Sequence, residues 1–221
     1  MAKSQRPSPH LLGRRYFTKP NSKRRQEQRH LKAAIGVYML QKRELMRLAM
    51  ENLSVSSIVI PEKKLHTGTL IASTSIVWGE IVNKLRLDWS LAASIPPHMW
   101  EEIIAGAFKK AGFNEVTLTP RSGDHGRDII AIKHGFGCIK IIDSVKAYKP
   151  GHLVGYDDVR ALLGVLSGER DASKAIITTT SGFPPKIGED PFIAPFLPTR
   201  LELMDGAALQ RWLGELLPDK S

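Results

Sequence analysis

The chain has 221 residues, of which 42% are apolar and 24% charged, a balance typical of a globular protein that buries a core. It has no apolar run of about 18 residues, the length that a membrane-spanning helix needs. Its single cysteine, Cys138, excludes an internal disulfide framework and a zinc site built from several cysteines. Because Cys138 stands in an apolar predicted strand, we interpret it as a small core residue.

The net charge of +10 is concentrated in the N-terminal part of the chain. Residues 1–94 hold 17 Lys and Arg against 6 Asp and Glu, a balance of +11, whereas residues 95–221 hold 15 against 16, a balance of −1. Such asymmetry indicates a polyanionic partner, for which nucleic acid is the usual candidate. Charge alone would also suit an anionic membrane surface or a ribosome.

Residues 1–30 are predicted to form a basic, disordered arm, because nine Lys and Arg stand there with one acid, three prolines and few apolar residues. Such an arm could neutralise phosphates or could simply solubilise the protein. An organellar transit peptide is a third alternative, although the prolines disfavour the amphipathic helix that it needs. The candidate nucleic-acid-binding residues of this part are Arg14, Arg15, Lys23, Arg24 and Arg25.

Residues 31–94 are predicted to be mainly helical. One helix is expected over 22–53, where apolar residues recur at spacings of three, four and seven, and a second over 74 to about 93. Between them, Ile58 to Ile60 predicts a short strand that Pro61 ends, in a stretch of otherwise mixed pattern. This region contains no pattern that indicates a particular chemistry.

A separate domain is predicted over 95–221. Pro96 and Pro97 open a helix that Gly112 ends in the left-handed conformation. Strands are expected at 116–119, 128–133 and 138–148, the last two joined by a hairpin turn. A helix at 156–168, strands at 174–180 and 201–204, and a helix from 206 to about 217 follow. This order is typical of a mixed sheet flanked by helices.

An acidic residue and a lysine could share one phosphate in this domain. If residue 133 faces 138 across the hairpin, Asp128 lies opposite 143–146. Alternate residues of a strand share a face, so Ser144 and Lys146 point one way, and Asp143 points the other. Phosphodiester hydrolysis requires oxygen ligands for a metal and positive charge for the transition state. Taken singly, however, Asp128 could be an ordinary strand-start residue and Lys146 an edge lysine.

Seven short motifs occur in one order along this domain. They are Trp100-Glu101, Ala111-Gly112-Phe113, Ser122 to Asp128, Ser144-Val145-Lys146, Leu163-Gly164-Val165, Ile177 to Phe183 and Leu203 to Leu209. In this order they resemble the catalytic domain of Mrr-type restriction endonucleases, a branch of the PD-(D/E)xK nuclease superfamily. The resemblance covers residues 97 to 217, slightly over half of the chain.

The resemblance implies a restriction-endonuclease-like α/β/α sandwich with a central mixed sheet, here preceded by a basic helical extension. It also implies a Mg²⁺- or Mn²⁺-dependent DNA endonuclease of restriction or defence type. Asp128 would be the main metal ligand, with the Val145 carbonyl. Lys146 would orient the attacking water and stabilise negative charge, and Glu101 would assist from the first helix.

Two positions depart from the family pattern. Ser144 stands where the family usually has Gln or Glu, and a hydroxyl is a weaker and shorter ligand than a carboxylate. His125 replaces a glycine of the loop, where a plain loop position and a phosphate contact are both open. Lys149 is a further candidate DNA contact. The resemblance implies DNA as the partner, a cytoplasmic location and no association with a membrane. A homodimer is a possibility that the sequence leaves open.

Two other functions remain alternatives at this point. A catalytically weakened or inactive nuclease-fold protein could bind nucleic acid without cutting it, which the serine at position 144 motivates. A structural component of a nucleoprotein assembly could use the basic arm and the 22–53 helix as anchors.

Overall fold

The computed structural model describes residues 22–53, 57–120 and 126–218. The chain divides into two units, residues 1–42 and 43–221. The predicted first helix is confirmed as α1, Ser22–Leu53. Within the first unit its apolar residues Leu31, Ile35 and Tyr38 are exposed. Most of the predicted basic arm lies outside the described residues.

The second unit is built on a mixed sheet of seven strands that lie side by side in sequence order. The strands are β1 Val59–Leu65, β2 Gly68–Thr74, β3 Glu115–Leu118, β4 Ile129–Gly135, β5 Gly137–Lys146, β6 Lys174–Thr179 and β7 Leu201–Met204. Neighbours from β1 to β5 are antiparallel, whereas β5, β6 and β7 are parallel. The predicted mixed sheet is therefore confirmed.

Helices cover both faces of this sheet. They are α2 Ile76–Leu87, α3 Pro97–Lys110, α4 Tyr156–Gly168 and α5 Gly206–Glu215. The first, second and fourth of these pack on one face, in a cluster with Ile129 and Ile141. Helix α4 and the irregular segment 181–199 cover the other face, in a cluster with Ile142 and Ile177. This arrangement is the α/β/α sandwich that the resemblance implied. No helix in the described part is long and apolar enough to cross a membrane.

The N-terminal hairpin β1–β2 was missed by the sequence reasoning, which predicted only a short strand ended by Pro61. Strand β1 continues through Pro61 because it is an edge strand, and its register shifts on both sides of the proline. On an edge strand, N–H groups that point away from the sheet form no ladder hydrogen bond, so a proline there costs the sheet no hydrogen bond. The predicted second helix also ends earlier, at Leu87, and a short 3₁₀ helix, Trp89–Ser94, follows it.

The prediction that Cys138 is a core residue was wrong, because its side chain is exposed. The pairs Lys133–Ile139, His134–Cys138 and Gly135–Gly137 extend the β4–β5 hairpin beyond its neighbours. Strand β3 pairs with β4 only up to Ile132, and β6 begins to pair with β5 only at Ile141. The tip of the hairpin therefore projects past the helices that would bury it.

Candidate active site

The end of β3, the start of β4 and the end of β5 meet at one edge of the sheet. Leu118 pairs with Ile129, and Ile129 pairs with Asp143. Asp128 stands just before β4, where its backbone N–H donates to the Asp143 carbonyl at 2.8 Å. The prediction that Asp128 lies opposite 143–146 is confirmed, with the register displaced by one residue from the predicted one, since Lys133 faces Ile139.

The Asp128 carboxylate is held against the last residues of β5. Its Oδ2 accepts a hydrogen bond from the Val145 backbone N–H at 2.6 Å. On the other side, the Thr119 backbone N–H donates to the Asp128 carbonyl at 3.0 Å. The residue is thus fixed from both neighbouring strands, and its half-buried side chain stays at the rim of the sheet.

Lys146 lies on the side of the sheet that α4 covers. Its ammonium is 3.7 Å from Asp158 Oδ1, and the two side chains are 29% and 31% exposed. The other oxygen of Asp158 accepts from the Gly155 backbone N–H at 3.2 Å, at the N-terminus of α4. The Lys146 backbone is also fixed, because the Thr179 hydroxyl donates to its carbonyl at 2.8 Å. Ser144, two residues earlier, is 4% exposed.

Asp143 lies in the opposite layer, as the alternation of the strand predicts. Its neighbours in the sheet row include Ile176, which packs with α3 and α5. The carboxylate is 1% exposed, and the Thr178 hydroxyl lies 3.0 and 2.9 Å from its two oxygens. Burial raises its pKa well above the usual range; the Thr178 hydrogen bond opposes the shift, and the nearby Asp128 and Glu202 charges add to it.

Glu101 is half-buried on α3, on the face opposite to Lys146. Helix α3 ends beside the β4–β5 hairpin, where the Lys133 ammonium donates to the Ala111 carbonyl at 3.3 Å. The N-terminal end of α3 therefore points toward the edge that carries Asp128. The next residue, Glu102, accepts from the Ile58 backbone N–H at 3.3 Å and lines a cavity next to β3, a role that sequence reasoning missed.

Arg127, the residue before Asp128, belongs to a group of ion pairs that the sequence did not predict. Its guanidinium pairs with Glu169 at the end of α4, and Lys140 on β5 joins the same carboxylate at 2.8 Å. Lys140 also reaches Asp171 at 2.9 Å. The Thr119 hydroxyl donates to the Arg127 carbonyl at 2.6 Å. The side chain and the backbone of Arg127 are therefore both held in place, immediately before Asp128. Their partners, Glu169 and Thr119, are too far away in the sequence to form a recognisable motif with Arg127.

The predicted nucleic-acid-binding residues are only partly described. Arg14 and Arg15 lie outside the described residues, as do Ser122 to His125 of the predicted loop. Lys23 and Arg24 belong to α1, and Arg25 is exposed on the same helix. Lys149 is exposed in the loop after β5, three residues beyond Lys146.

The oxygen donors at this edge suit a hard divalent cation. Within 22–53, 57–120 and 126–218, no three His, Cys, Asp or Glu side chains gather in a way that could hold a metal. Mg²⁺ does not require such a cage, because it keeps several waters and binds through one or two carboxylates together with substrate phosphates. The half-buried Asp128 carboxylate and the adjacent Val145 backbone fit that mode, and the buried Asp143 does not contribute to it.

Comparison with known proteins gives a family match and two solved structures to which the chain shows a resemblance. The structure resembles MspJI restriction endonuclease, solved in complex with a 27-mer oligonucleotide, at 15% identity and a TM-score of 0.39, over 63% of this chain and 32% of that one. It resembles the DNA modification-dependent restriction endonuclease AspBHI at 15% identity and a TM-score of 0.43, over 65% and 36%. The chain thus spans about a third of each. No curated protein sequence matches.

The family comparison covers the domain that carries the site. The Mrr catalytic-domain model, described as a restriction endonuclease, matches residues 92–213, which is more than half of the chain. The matched range contains Glu101, Asp128, Ser144 and Lys146 and all five strands from β3 to β7. The chain therefore belongs to the Mrr-type restriction endonuclease family.

Proposed function

We propose that this protein is a metal-dependent DNA endonuclease of restriction or defence type that hydrolyses phosphodiester bonds. The observation that carries the proposal is the hydrogen bond from the Val145 N–H to the Asp128 carboxylate. It joins Asp128 to Val145 of β5, the residue before Lys146, at the edge of the sheet. Asp128 and Lys146 thus belong to the ends of adjacent strands, and a phosphodiester would lie between their side chains.

Asp128 and the Val145 carbonyl would hold Mg²⁺ or Mn²⁺. The bound ion would supply Lewis-acid charge at the phosphate and a more acidic water. The Lys146 ammonium would stabilise the negative charge of the transition state and orient the water. Glu101 would assist from the N-terminal end of α3, and Ser144 would take the position that a Gln or Glu usually has.

DNA is the proposed polymer substrate because the basic residues are concentrated before the catalytic domain. The +11 balance of residues 1–94 suits the phosphate backbone. Arg14, Arg15, Lys23, Arg24 and Arg25 would bind the backbone from the N-terminal part, and Lys149 from beside Lys146.

A second function, DNA binding without cleavage, is favoured by one observation. Ser144 is 4% exposed and offers only a hydroxyl, so the site lacks the longer oxygen ligand, from Gln or Glu, that the family usually has at this position. Weak metal affinity would then leave a protein that binds DNA and hydrolyses it slowly or not at all.

A cleavage assay with matched variants tests the proposal. Supercoiled plasmid, methylated and unmethylated, is incubated with wild type, Asp128→Asn and Lys146→Gln in Mg²⁺, Mn²⁺ or EDTA. Asparagine can still accept from the Val145 N–H, so Asp128→Asn removes charge without removing the hydrogen bond. We expect metal-dependent nicking or cutting by wild type, and a loss of about 100-fold or more in each variant. DNA affinity in Ca²⁺ should stay within about threefold.

Three outcomes have distinct meanings. Cleavage that persists in both variants at the wild-type rate would show that the assigned residues are not the catalytic ones. Metal-independent DNA binding with no cleavage of any substrate would establish the second function. A protein that neither binds nor cuts DNA would contradict both.

A further inference from the structure

We infer that the β1–β2 hairpin is a DNA-backbone contact that extends the substrate-binding face beyond the family domain. It would bind a phosphate group of the strand that enters the active site. This inference rests on the proposed function, since it concerns how the same substrate is held.

The hairpin lies outside the matched family range but inside the same sheet. The match begins at residue 92, whereas β1 and β2 span 59–74. Strand β2 joins β3 through the pairs Thr69–Leu118 and Leu70–Thr117. The junction is tight, because a Cβ on Gly68 would lie 2.0 Å from the Leu118 carbonyl oxygen, and Gly68 has a φ of +144°. The hairpin is therefore a fixed part of the fold.

The register places the hairpin tip at the active-site edge. Leu65 pairs with Gly68 at the tip, Thr69 pairs with Leu118, and Leu118 pairs with Ile129. The residue before Ile129 is Asp128. The β4–β5 hairpin, with Lys133 near its tip, projects from the opposite edge.

A cleft of about 470 Å³ is lined by the hairpin, by the end of β3 and by Glu102 of α3. Lys64 and Thr69 line it on the hairpin side, and Thr119 and Pro120 line it on the other. The Thr119 backbone N–H donates to the Asp128 carbonyl, so one wall of the cleft is hydrogen-bonded to the candidate metal ligand. A strand of DNA that crosses the edge at Asp128 would pass this cleft.

The tip carries two lysines, Lys63 and Lys64, beside one acid, Glu62. Lys63, Lys64 and His66 are exposed. No ion pair joins Lys63 or Lys64 to another residue in the described part of the chain. Exposed ammonium groups of this kind neutralise phosphates and release counterions. Lysines on an edge strand can also prevent edge-to-edge pairing of sheets, so the experiment must separate these two roles.

The sheet itself sets the distance between the hairpin and the active site. Three strand spacings separate β1 from β4, or about 14 Å at roughly 4.8 Å each. One strand of B-form DNA rises about 3.4 Å per nucleotide, so this distance corresponds to about four nucleotides. The hairpin would thus bind a phosphate about four nucleotides from the scissile bond.

The test compares two hairpin ends of the same sheet in the full-length protein. Lys63→Gln/Lys64→Gln is measured beside Lys133→Gln, whose ammonium lies at the opposite edge and donates to the Ala111 carbonyl. Binding of a fluorescent duplex is followed by anisotropy in Ca²⁺ over a range of salt concentrations. Each lysine that no longer neutralises a phosphate should make the slope of log K against log salt shallower by about 0.9, so the double variant should change it by up to about 1.8. Size-exclusion chromatography checks that each variant keeps the wild-type oligomeric state.

The outcomes separate this inference from the proposed function. A reduced salt slope in the hairpin variant alone, at unchanged oligomeric state, supports the inference. If wild type binds and cleaves DNA but the hairpin variant matches Lys133→Gln, only the role of the hairpin is wrong. A change of oligomeric state with an unchanged salt slope would assign the lysines to protection of the edge strand. If wild type does not bind DNA, the proposed function fails as well.

Discussion

The Lys146 ammonium lies 3.7 Å from a carboxylate oxygen of Asp158, whose other oxygen caps the first turn of α4. The lysine is therefore oriented by the helix that covers its face of the sheet. Asp158 does not stand in the motif order that identified the site, and we predict that it acts through Lys146 as a positioning residue.

Asp158→Asn should lower kcat by about tenfold while KM changes little, because a displaced ammonium stabilises the transition state less well. Asparagine can still accept from the Gly155 N–H, so the helix cap is kept. The control is Asp157→Asn, which removes a neighbouring first-turn charge that lies 3.6 Å from the Arg160 guanidinium. Equal kinetics in the two variants would show that the ion pair does not position Lys146.

Ser144→Glu should lower the Mg²⁺ concentration for half-maximal cleavage by about tenfold, because a carboxylate is a stronger ligand than a hydroxyl. Ser144→Ala is the matched control and should change that concentration by less than about twofold if the hydroxyl contributes little. Thermal melting checks that the buried position accepts the larger side chain. An unchanged metal requirement in a folded Ser144→Glu protein would mean that this position does not reach the ion.

Asp143→Asn should make the protein less sensitive to rising pH. Burial raises the pKa of Asp143 in the folded state, so the native protein holds a proton that the unfolded chain releases above pH ~4. Its contribution to stability is complete below that pH and is lost as the pH rises toward the folded-state value. Denaturant unfolding of wild type and variant between pH 4 and 8 should show their difference growing in favour of the variant. Parallel curves would contradict this.

Glu169→Gln should destabilise the protein by about 2–3 kcal/mol, because it leaves a mostly buried guanidinium without its charge partner. Arg127 and Glu169 are only 15% and 20% exposed, and Arg127 Nε has no hydrogen-bond partner among the described residues. Asp171→Asn removes the other, 72% exposed partner of Lys140 and should change stability by less than about 0.5 kcal/mol.

The same pair should also separate a catalytic effect from a structural one. At a temperature where both variants are folded, Glu169→Gln should bind Mn²⁺ at Asp128 more weakly than Asp171→Asn does. Calorimetric titration of the two proteins checks this. Indistinguishable Mn²⁺ affinities would show that the Arg127–Glu169 ion pair stabilises the fold without setting the position of Asp128.

The catalytic half of the fold was predictable because its local signals agree with one another. Gly112 does adopt a left-handed φ of +82° at the end of α3, and α4 and β7 begin where the patterns place them. The alternation of β5 also assigned Asp143 to the opposite layer, because one residue of pleat decides the face. These features depend on neighbours in sequence, so a single chain suffices to infer them.

The features that were missed depend on partners far along the chain. Strand β1 was hard to recognise in the sequence because it contains Pro61 and two lysines. An edge strand tolerates a proline and charged side chains that a central strand would not. Cys138 has an apolar sequence neighbourhood, but its exposure is set by where β3 and β6 stop pairing. The Arg127–Glu169 and Lys146–Asp158 ion pairs join residues whose separation in the sequence matches no helix or strand periodicity.

The pairing of β2 with β3 has a practical consequence for how this protein is cut into fragments. A fragment that begins at residue 92, as the family boundary suggests, would lack both the hairpin and α2. Trp78, which donates to the Ile103 carbonyl at 2.8 Å, and the buried Ile81 would be removed with them. The α3 surface beneath them would meet water, and β3 would present an unpaired edge. We therefore expect the smallest fragment that folds stably to be longer than the matched family domain and to begin before residue 58.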